Sequence, residues 1–274
     1  MQKEIIRSRQ NDKVKLVCSL EKKKAREKLE LFRFDGIKLF CEAVAKDVAI
    51  ALCVVREGAY EDLKGSLDGL PEDKTVVVTD DVFEKISEEK SPEGIRTVAK
   101  YLDKLHKIAT INNKGEFFEL PEKSEKVMLL ESIRDPGNLG TVIRSAASLG
   151  IDRLVLSSDC ADIYNPKTIR AAMGSLFMQR IDILPDGEMP SYISALRKTG
   201  RRVFAAALLD DAQRLGDIDL LAGDSFVIGN EGHGLSDDTI DACDGSVIIP
   251  MSEGCESLNA SAAATIFIWE TTRI

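Results

Sequence analysis

Short apolar runs alternate with amphipathic and polar stretches along the whole chain. In the first part, residues 31–34, 50–55 and 75–79 read as strands. Ile37–Ala45 has helical spacing, with Ile37, Phe40, Cys41 and Val44 on one face. Asp80–Ile86 reads as a short helix with an acidic first turn, and residues 21–30 as a polar helix or loop. This alternation predicts a small α/β domain over residues 1–111. Residues 112–125 are polar, contain Gly115 and Pro121, and read as a linker. The Phe117-Phe118 pair within it either packs on a domain or belongs to an edge strand. Over residues 126–274 the apolar runs 127–131, 154–157, 203–208, 226–229 and 247–250 read as strands. Helices are expected to start near Asn138, Pro166, Pro190, Ser236 and Ser257. Fully apolar short strands fit a parallel sheet covered on both faces.

Composition narrows the class. With 274 residues, 44% hydrophobic and 30% charged, the chain has the material for one large core or two ordinary ones. The longest apolar stretches, such as residues 48–55, are too short to span a bilayer. Residues 1–20 lack the apolar core and cleavage site of a secretory signal, so a cytoplasmic location is expected, with no membrane partner. The six cysteines form no C-x-x-C pair and only two histidines are present, which argues against a zinc site; no metal is expected. The cysteines read mostly as small buried hydrophobes.

The net charge of −9 argues against an RNA partner until its distribution is considered. Residues 1–40 hold twelve Lys/Arg against six Asp/Glu, a net +6, which leaves −15 for the remainder. That basic segment, with Lys22, Lys23 and Lys24 at its centre, either meets phosphates or is a solvated helix surface.

Three motifs follow three of the predicted strands, where ligands of open α/β sheets bind. The first, DPGNLGTVIRSAA over residues 135–147, opens with a turn signal. Asn138 suits a helix cap, and Arg144 stands among small and apolar neighbours. The bland reading is a cap and a surface ion-pair partner. The second, GNEGHGL over residues 229–235, holds three glycines in six residues, a tight loop whose backbone approaches something closely. The bland reading is a turn before a helix capped by Ser236; neither a dinucleotide fingerprint nor a phosphate loop is present. The third runs from Ile249 through Gly254, Ser257 and Asn259 into a helix of tiny residues, with Ser257 as a possible cap. A hydrolase nucleophile at Ser257 is disfavoured, because GCESL is not G-x-S-x-G.

In this order the strings NLGTVIR (138–144), IGNEGHGL (228–235), and IPM (249–251) with SLNAS (257–261) resemble the SpoU/TrmH family of RNA ribose methyltransferases of the SPOUT superfamily. The resemblance covers the last 150 residues or so. FDG at 34–36 and SPEGI at 91–95 are similar to an RNA-binding α/β domain often fused to it, although that domain often has Glu where Asp35 stands. The resemblance implies a C-terminal parallel-sheet domain tied into a trefoil knot, in a class where knots are otherwise nearly absent. It implies S-adenosylmethionine held by the backbones around Gly229, Asn230, Gly232, Ile249, Met251 and Leu258. It implies a homodimer through the first and last helices of that domain, which the small residues 145–147 and 260–264 suit.

By the same resemblance Arg144 faces the ribose 2′-hydroxyl, Asn138 helps arrange the site, and Glu231, Ser257 and Asn259 complete it. The family proposal makes Arg144 the base. A guanidinium is a donor only, so its expected role is to orient the hydroxyl and phosphate, with the base left open. Residues 165–175 also look family-like, with Lys167 and Arg170 either meeting phosphates or serving as surface charge. Many relatives carry Ser where Ala172 stands, and Gln179-Arg180 replaces a commoner apolar-proline pair. The expected function is methyl transfer to a ribose 2′-hydroxyl of RNA, with ribosomal RNA favoured over transfer RNA because the N-terminal domain suits a large structured substrate. The alternatives are a non-catalytic RNA-binding module of the same fold, and a small-molecule enzyme with a nucleotide cofactor. The last would need a phosphate loop that the sequence lacks.

Overall fold

The computed structural model describes residues 5–87, 93–111, 117, 119–230, 232–252 and 257–273. The chain divides into two compact units, Met1–Leu102 with Tyr164–Phe177, and Asp103–Ile163 with Met178–Ile274.

The first unit carries a five-stranded sheet in the order β1-β4-β3-β5-β2, formed by β1 (Ile5–Ile6), β2 (Leu31–Asp35), β3 (Ile50–Arg56), β4 (Thr75–Val78) and β5 (Ile95–Lys100). Its helices are α1 (Asp12–Ser19), α2 (Lys23–Leu29), α3 (Ile37–Ala45), α4 (Tyr60–Leu67) and α5 (Asp80–Ile86). β1, β3 and β4 run parallel, whereas β5 is antiparallel to β2 and β3. β5 lies between β3 and β2 and is almost wholly buried, but Arg96 and Thr97 interrupt its apolar run. Arg96 is 1% exposed and makes a two-pronged pair with Asp35 on the neighbouring strand through Nε and Nη2.

α3 has the bounds its periodicity predicts but a different buried face. Leu39, Phe40 and Ala43 are buried, while Cys41 and Val44 face solvent. The buried stripe is thus turned by about one residue from the expected one, toward the sheet. The start of the helix is held by the Glu93 carboxylate, which accepts from the Ile37 N–H at 2.7 Å. Two of the basic residues within 1–40 are buried. Arg26 donates to the carbonyls of Leu20 and Glu21, and Arg33 to that of Val17. Both are held by main-chain carbonyls inside the first unit.

The second unit carries an eight-stranded, all-parallel sheet in the order β11-β13-β10-β12-β7-β8-β9-β6. Its strands are β6 (His106–Ile108), β7 (Val127–Leu130), β8 (Arg153–Leu156), β9 (Arg180–Ile183), β10 (Val203–Ala206), β11 (Gln213–Arg214), β12 (Ser225–Ile228) and β13 (Gly245–Ile248). α6 (Pro136–Leu149) follows β7. α7 (Pro166–Ala172), which follows β8, belongs to the first unit. α8 (Met189–Lys198), α9 (Asp237–Ala242) and α10 (Ala260–Thr272) complete the series.

The central strands β7, β8 and β12 are buried at every position, as expected of a parallel sheet. β9 holds a buried charge: Asp182 accepts from Arg153 at 2.9 Å, and Arg153 also pairs with Glu125 at 2.9 Å. Phe117 packs edge-on against Tyr192 with ring centres 4.9 Å apart, and Phe118 lies outside the described residues. The cysteines are more varied than expected. Cys53 and Cys243 are buried, Cys18 and Cys160 half-buried, and Cys41 exposed; Cys255 lies outside the described residues. Burial pushes the Cys243 thiol up to about 12, which leaves it inert as a nucleophile.

Candidate active site

Because every strand pairing in the second unit is parallel, the turns after β7, β10, β12 and β13 leave the same edge of the sheet. The three sequence motifs begin at three of these turns.

After β7 the chain turns through Ser132 at φ +56°, a left-handed conformation that costs a serine about 1 kcal/mol. Its amide donates to Ser157 Oγ at 2.8 Å, and the Asp159 carboxylate accepts from Ser132 Oγ, Ser157 Oγ and Arg134. Partial burial pushes the Asp159 carboxyl up, but those hydrogen bonds and the Arg134 charge outweigh it and hold the group below the usual carboxylate range. α6 then starts two residues earlier than expected. Asp135 is its cap, accepting from the Asn138 N–H at 2.8 Å, and Pro136 occupies the first turn, where its missing donor costs nothing. Asn138 is therefore not the cap, and its side chain reaches the third motif instead.

The same correction applies at that third motif. Asn259, not Ser257, caps α10: its Oδ1 accepts from the amides of Ser261 and Ala262 at 3.0 and 3.3 Å. Its Nδ2 donates to Asn138 Oδ1 at 3.0 Å. The first and third motifs thus meet through two predicted site residues. Behind them α10 packs on α6, with Ser145 Oγ and Thr265 Oγ1 2.8 Å apart, and on β12 through Phe267 and Phe226. The small residues Ala146, Ala260, Ser261 and Ala264 are buried in this packing.

The second motif folds back on itself. Asn230 Oδ1 accepts from the amides of Gly232 and His233, both at 2.8 Å, and the Gly234 N–H returns to the Asn230 carbonyl at 3.1 Å. A Cβ on Gly229 would lie 2.2 Å from the backbone of Gly234, so only glycine permits this closure. The Asn230 side chain shapes the loop, which leaves backbone groups for a ligand. Glu231 lies outside the described residues, as do residues 253–256 of the third motif.

A residue that sequence reasoning passed over ties the chain just before the first motif to the residues just after the second. Glu131, 9% exposed at the end of β7, accepts from Ser236 N–H at 2.9 Å, Ser236 Oγ at 3.0 Å and Thr239 Oγ1 at 2.7 Å. By pattern it is only the last residue of a strand. Its one signal is a charge closing a run that is otherwise apolar.

Arg144 is exposed on α6, with no hydrogen bond or ion pair among the described residues. Ser257 is exposed ahead of α10. Met251 and Leu258, the expected cofactor contacts of the third motif, are 40% and 39% exposed, and Ile249 is half-buried. Leu208 and Leu209, beyond β10, are likewise exposed. Lys22, Lys23 and Lys24 are exposed at the start of α2, with Lys23 3.7 Å from Glu27. Lys167 and Arg170 are exposed on α7, which Asn165 caps. These five residues all belong to the first unit, not to the unit holding the three motifs. Among the described residues no group of side chains could hold a metal.

Comparison with known proteins bears on the same segments. Residues 125–269 match the model of the SpoU rRNA Methylase family, and residues 11–118 that of the MRM3-like substrate binding domain. The 23S rRNA (guanosine(2553)-2′-O)-methyltransferase RlmP of Bacillus subtilis is 30% identical over 96% of this chain and 97% of its own length. The 23S rRNA (uridine(2479)-2′-O)-methyltransferase of Streptomyces viridochromogenes is 36% identical over 53% of this chain and 52% of its own. The solved structure of an AdoMet-bound rRNA methyltransferase from Sinorhizobium meliloti covers 100% of this chain and 98% of its own, with a TM-score of 0.78 at 25% identity. Matched over its three-motif unit and, by RlmP, along nearly its whole length, the chain belongs to the SpoU family of rRNA methylases.

Proposed function

We propose that this protein transfers the methyl group of S-adenosylmethionine to a ribose 2′-hydroxyl of ribosomal RNA. The observation that carries the reading is the meeting of the first and third motifs through Asn259 and Asn138, with Glu131, just before the first, bonded to the residues that follow the glycine loop. Both named relatives act on 23S rRNA at a 2′-oxygen, which favours ribosomal over transfer RNA.

The cofactor, when bound, supplies an electrophilic methyl on a sulfonium. The chain's own part is positioning, which can account for much of the barrier in such a displacement. The backbones of Gly229, Asn230, Gly232 and Ile249 would hold the cofactor's polar groups, and Met251 and Leu258 its apolar face. Arg144 orients the 2′-hydroxyl and the adjoining phosphate through its N–H donors. Asn138, fixed by Asn259, stands at the start of the same helix, and Glu231 and Ser257 complete the site. The exposed lysines of α2 and the cations Lys167 and Arg170 contribute phosphate contacts from the first unit. In this reading residues 1–111 make up the bulk of the substrate-binding domain, 112–125 the linker and 126–274 the catalytic domain, with residues 103–111 packed in the second unit and 164–177 in the first.

We read the catalytic unit as a trefoil knot, a form that the parallel order β13-β10-β12-β7-β8 accommodates. We also read the protein as a cytoplasmic homodimer. Ala262, Ile266 and Trp269 form an exposed stripe at helical spacing on α10, with Trp269 54% exposed. No helix among the described residues is long and apolar enough to cross a membrane. The test is calorimetric titration with S-adenosylmethionine, followed by methyl transfer to total RNA from cells lacking the protein. Saturable binding with label in one ribosomal RNA fragment is the expected result. Label confined to transfer RNA would replace the substrate, and binding of RNA without cofactor binding or label would favour a non-catalytic module.

A further inference from the structure

We propose that Glu131 is a positioning residue that holds the glycine loop, residues 229–235, in the shape that takes up S-adenosylmethionine. The inference rests on the reading of that loop as a cofactor site.

Glu131 grips the loop at both ends. Its main-chain N–H donates to the carbonyl of Ile228 at 2.9 Å, the residue immediately before Gly229. Its carboxylate accepts from the amide and hydroxyl of Ser236, immediately after Leu235, and from the hydroxyl of Thr239. Within the loop the described bonds are local, all returning to Asn230. They set the loop's internal shape but not its place on the sheet. Placement is shared by Leu235, buried in the core with Val127 and Val227, and by Glu131, which also begins the turn into α6 and so ties the loop to the start of that helix.

The energetics favour a specific role. Glu131 is 9% exposed and Thr239 fully buried, so removing the carboxylate strands a buried hydroxyl and a backbone donor. The loop then has reason to move until water reaches those donors. Gly229 lies so close to the Gly234 backbone that a displacement of Gly234 is passed to Gly229. A shift of the loop weakens cofactor binding while leaving the exposed cations of the first unit, and hence RNA binding, as they were.

The experiment compares the full-length protein with Glu131→Ala, Glu131→Gln and the double variant Ser236→Ala/Thr239→Val. It measures S-adenosylmethionine Kd by calorimetry, RNA affinity by filter binding, and the thermal midpoint. Glu131→Ala is expected to raise the cofactor Kd at least about tenfold, the cost of one or two buried hydrogen bonds, with RNA affinity unchanged. Glu131→Gln, whose amide oxygen still accepts from Ser236, should stay within about threefold, and the double variant should fall between the two. A folded Glu131→Ala protein with wild-type cofactor affinity overturns the proposal. So does an equal loss of cofactor and RNA affinity, the mark of general damage. Should Glu131→Ala fail to fold, wild-type binding by the double variant overturns it instead. A wild-type protein that binds no S-adenosylmethionine refutes the functional reading rather than this inference.

Discussion

The side-chain amide of Asn259 donates to the side-chain oxygen of Asn138 at 3.0 Å, across 121 residues of sequence. Asn259 uses its own oxygen to cap α10, and the Asn138 backbone is held by Asp135. The pair therefore separates two roles. Asn138→Ala leaves both caps in place, so the thermal midpoint should barely move while methyl transfer falls on the order of tenfold, one hydrogen bond in the transition state. Asn259→Ala loses the cap as well and should cost about 1 kcal/mol of stability in addition. Calorimetry beside a turnover assay reads both; an Asn138→Ala enzyme of normal rate would remove that residue from the site.

Trp269 and Ile266 supply the apolar surface for the proposed dimer. Trp269→Asp should convert the dimer to monomer at micromolar concentration, since a central aromatic anchor is worth about 2 kcal/mol or more. Light scattering after gel filtration reads the mass. A monomeric wild-type protein, or a dimeric Trp269→Asp, would place any interface elsewhere.

Asp159 carries a pH signature. Its carboxyl is held below its ordinary value in the folded chain, so it contributes stability above the unfolded value of about 3.9 and loses it as pH falls through the lower folded value. Asp159→Asn should lower the thermal midpoint at pH 7, and the gap to wild type should narrow as pH falls below about 4. A gap that stays constant from about pH 7 to about pH 3 would show that the Asp159 charge contributes nothing.

Legibility in the sequence depended on where the determining contacts lie. β7, β8 and β12 were legible because each holds three or four consecutive apolar residues, 127–130, 154–156 and 226–228, all of them buried. β9 was not, because Asp182 breaks its run, and its partner Arg153 is on another strand. β5 was hidden in the same way by Arg96, whose partner is Asp35. The starts of α6 and α10 were misplaced by two or three residues, because Asp135 and Asn259 outcompete the equally plausible caps Asn138 and Ser257. The site's residue types were readable from the motifs. Their junction was not, since the Asn138–Asn259 and Glu131–Ser236 bonds span 121 and 105 residues of sequence.

The basic N-terminal segment gives a prediction in salt. Lys22, Lys23 and Lys24 are exposed, unlike the buried Arg26 and Arg33. Changing the three lysines to alanine should weaken RNA binding and flatten the slope of log K against log salt by roughly 0.7–0.9 for each phosphate no longer neutralised. An unchanged slope would assign the phosphate contacts to other cations.

The most direct test of the proposed chemistry uses labelled methyl. Wild-type protein and Arg144→Ala are incubated with methyl-labelled S-adenosylmethionine and ribosomal RNA, and the RNA is digested to nucleosides. The expected result is label in a 2′-O-methylated nucleoside with wild type, none with Arg144→Ala, and similar cofactor affinity in both. Label on a base rather than a ribose, or normal turnover by Arg144→Ala, would contradict it.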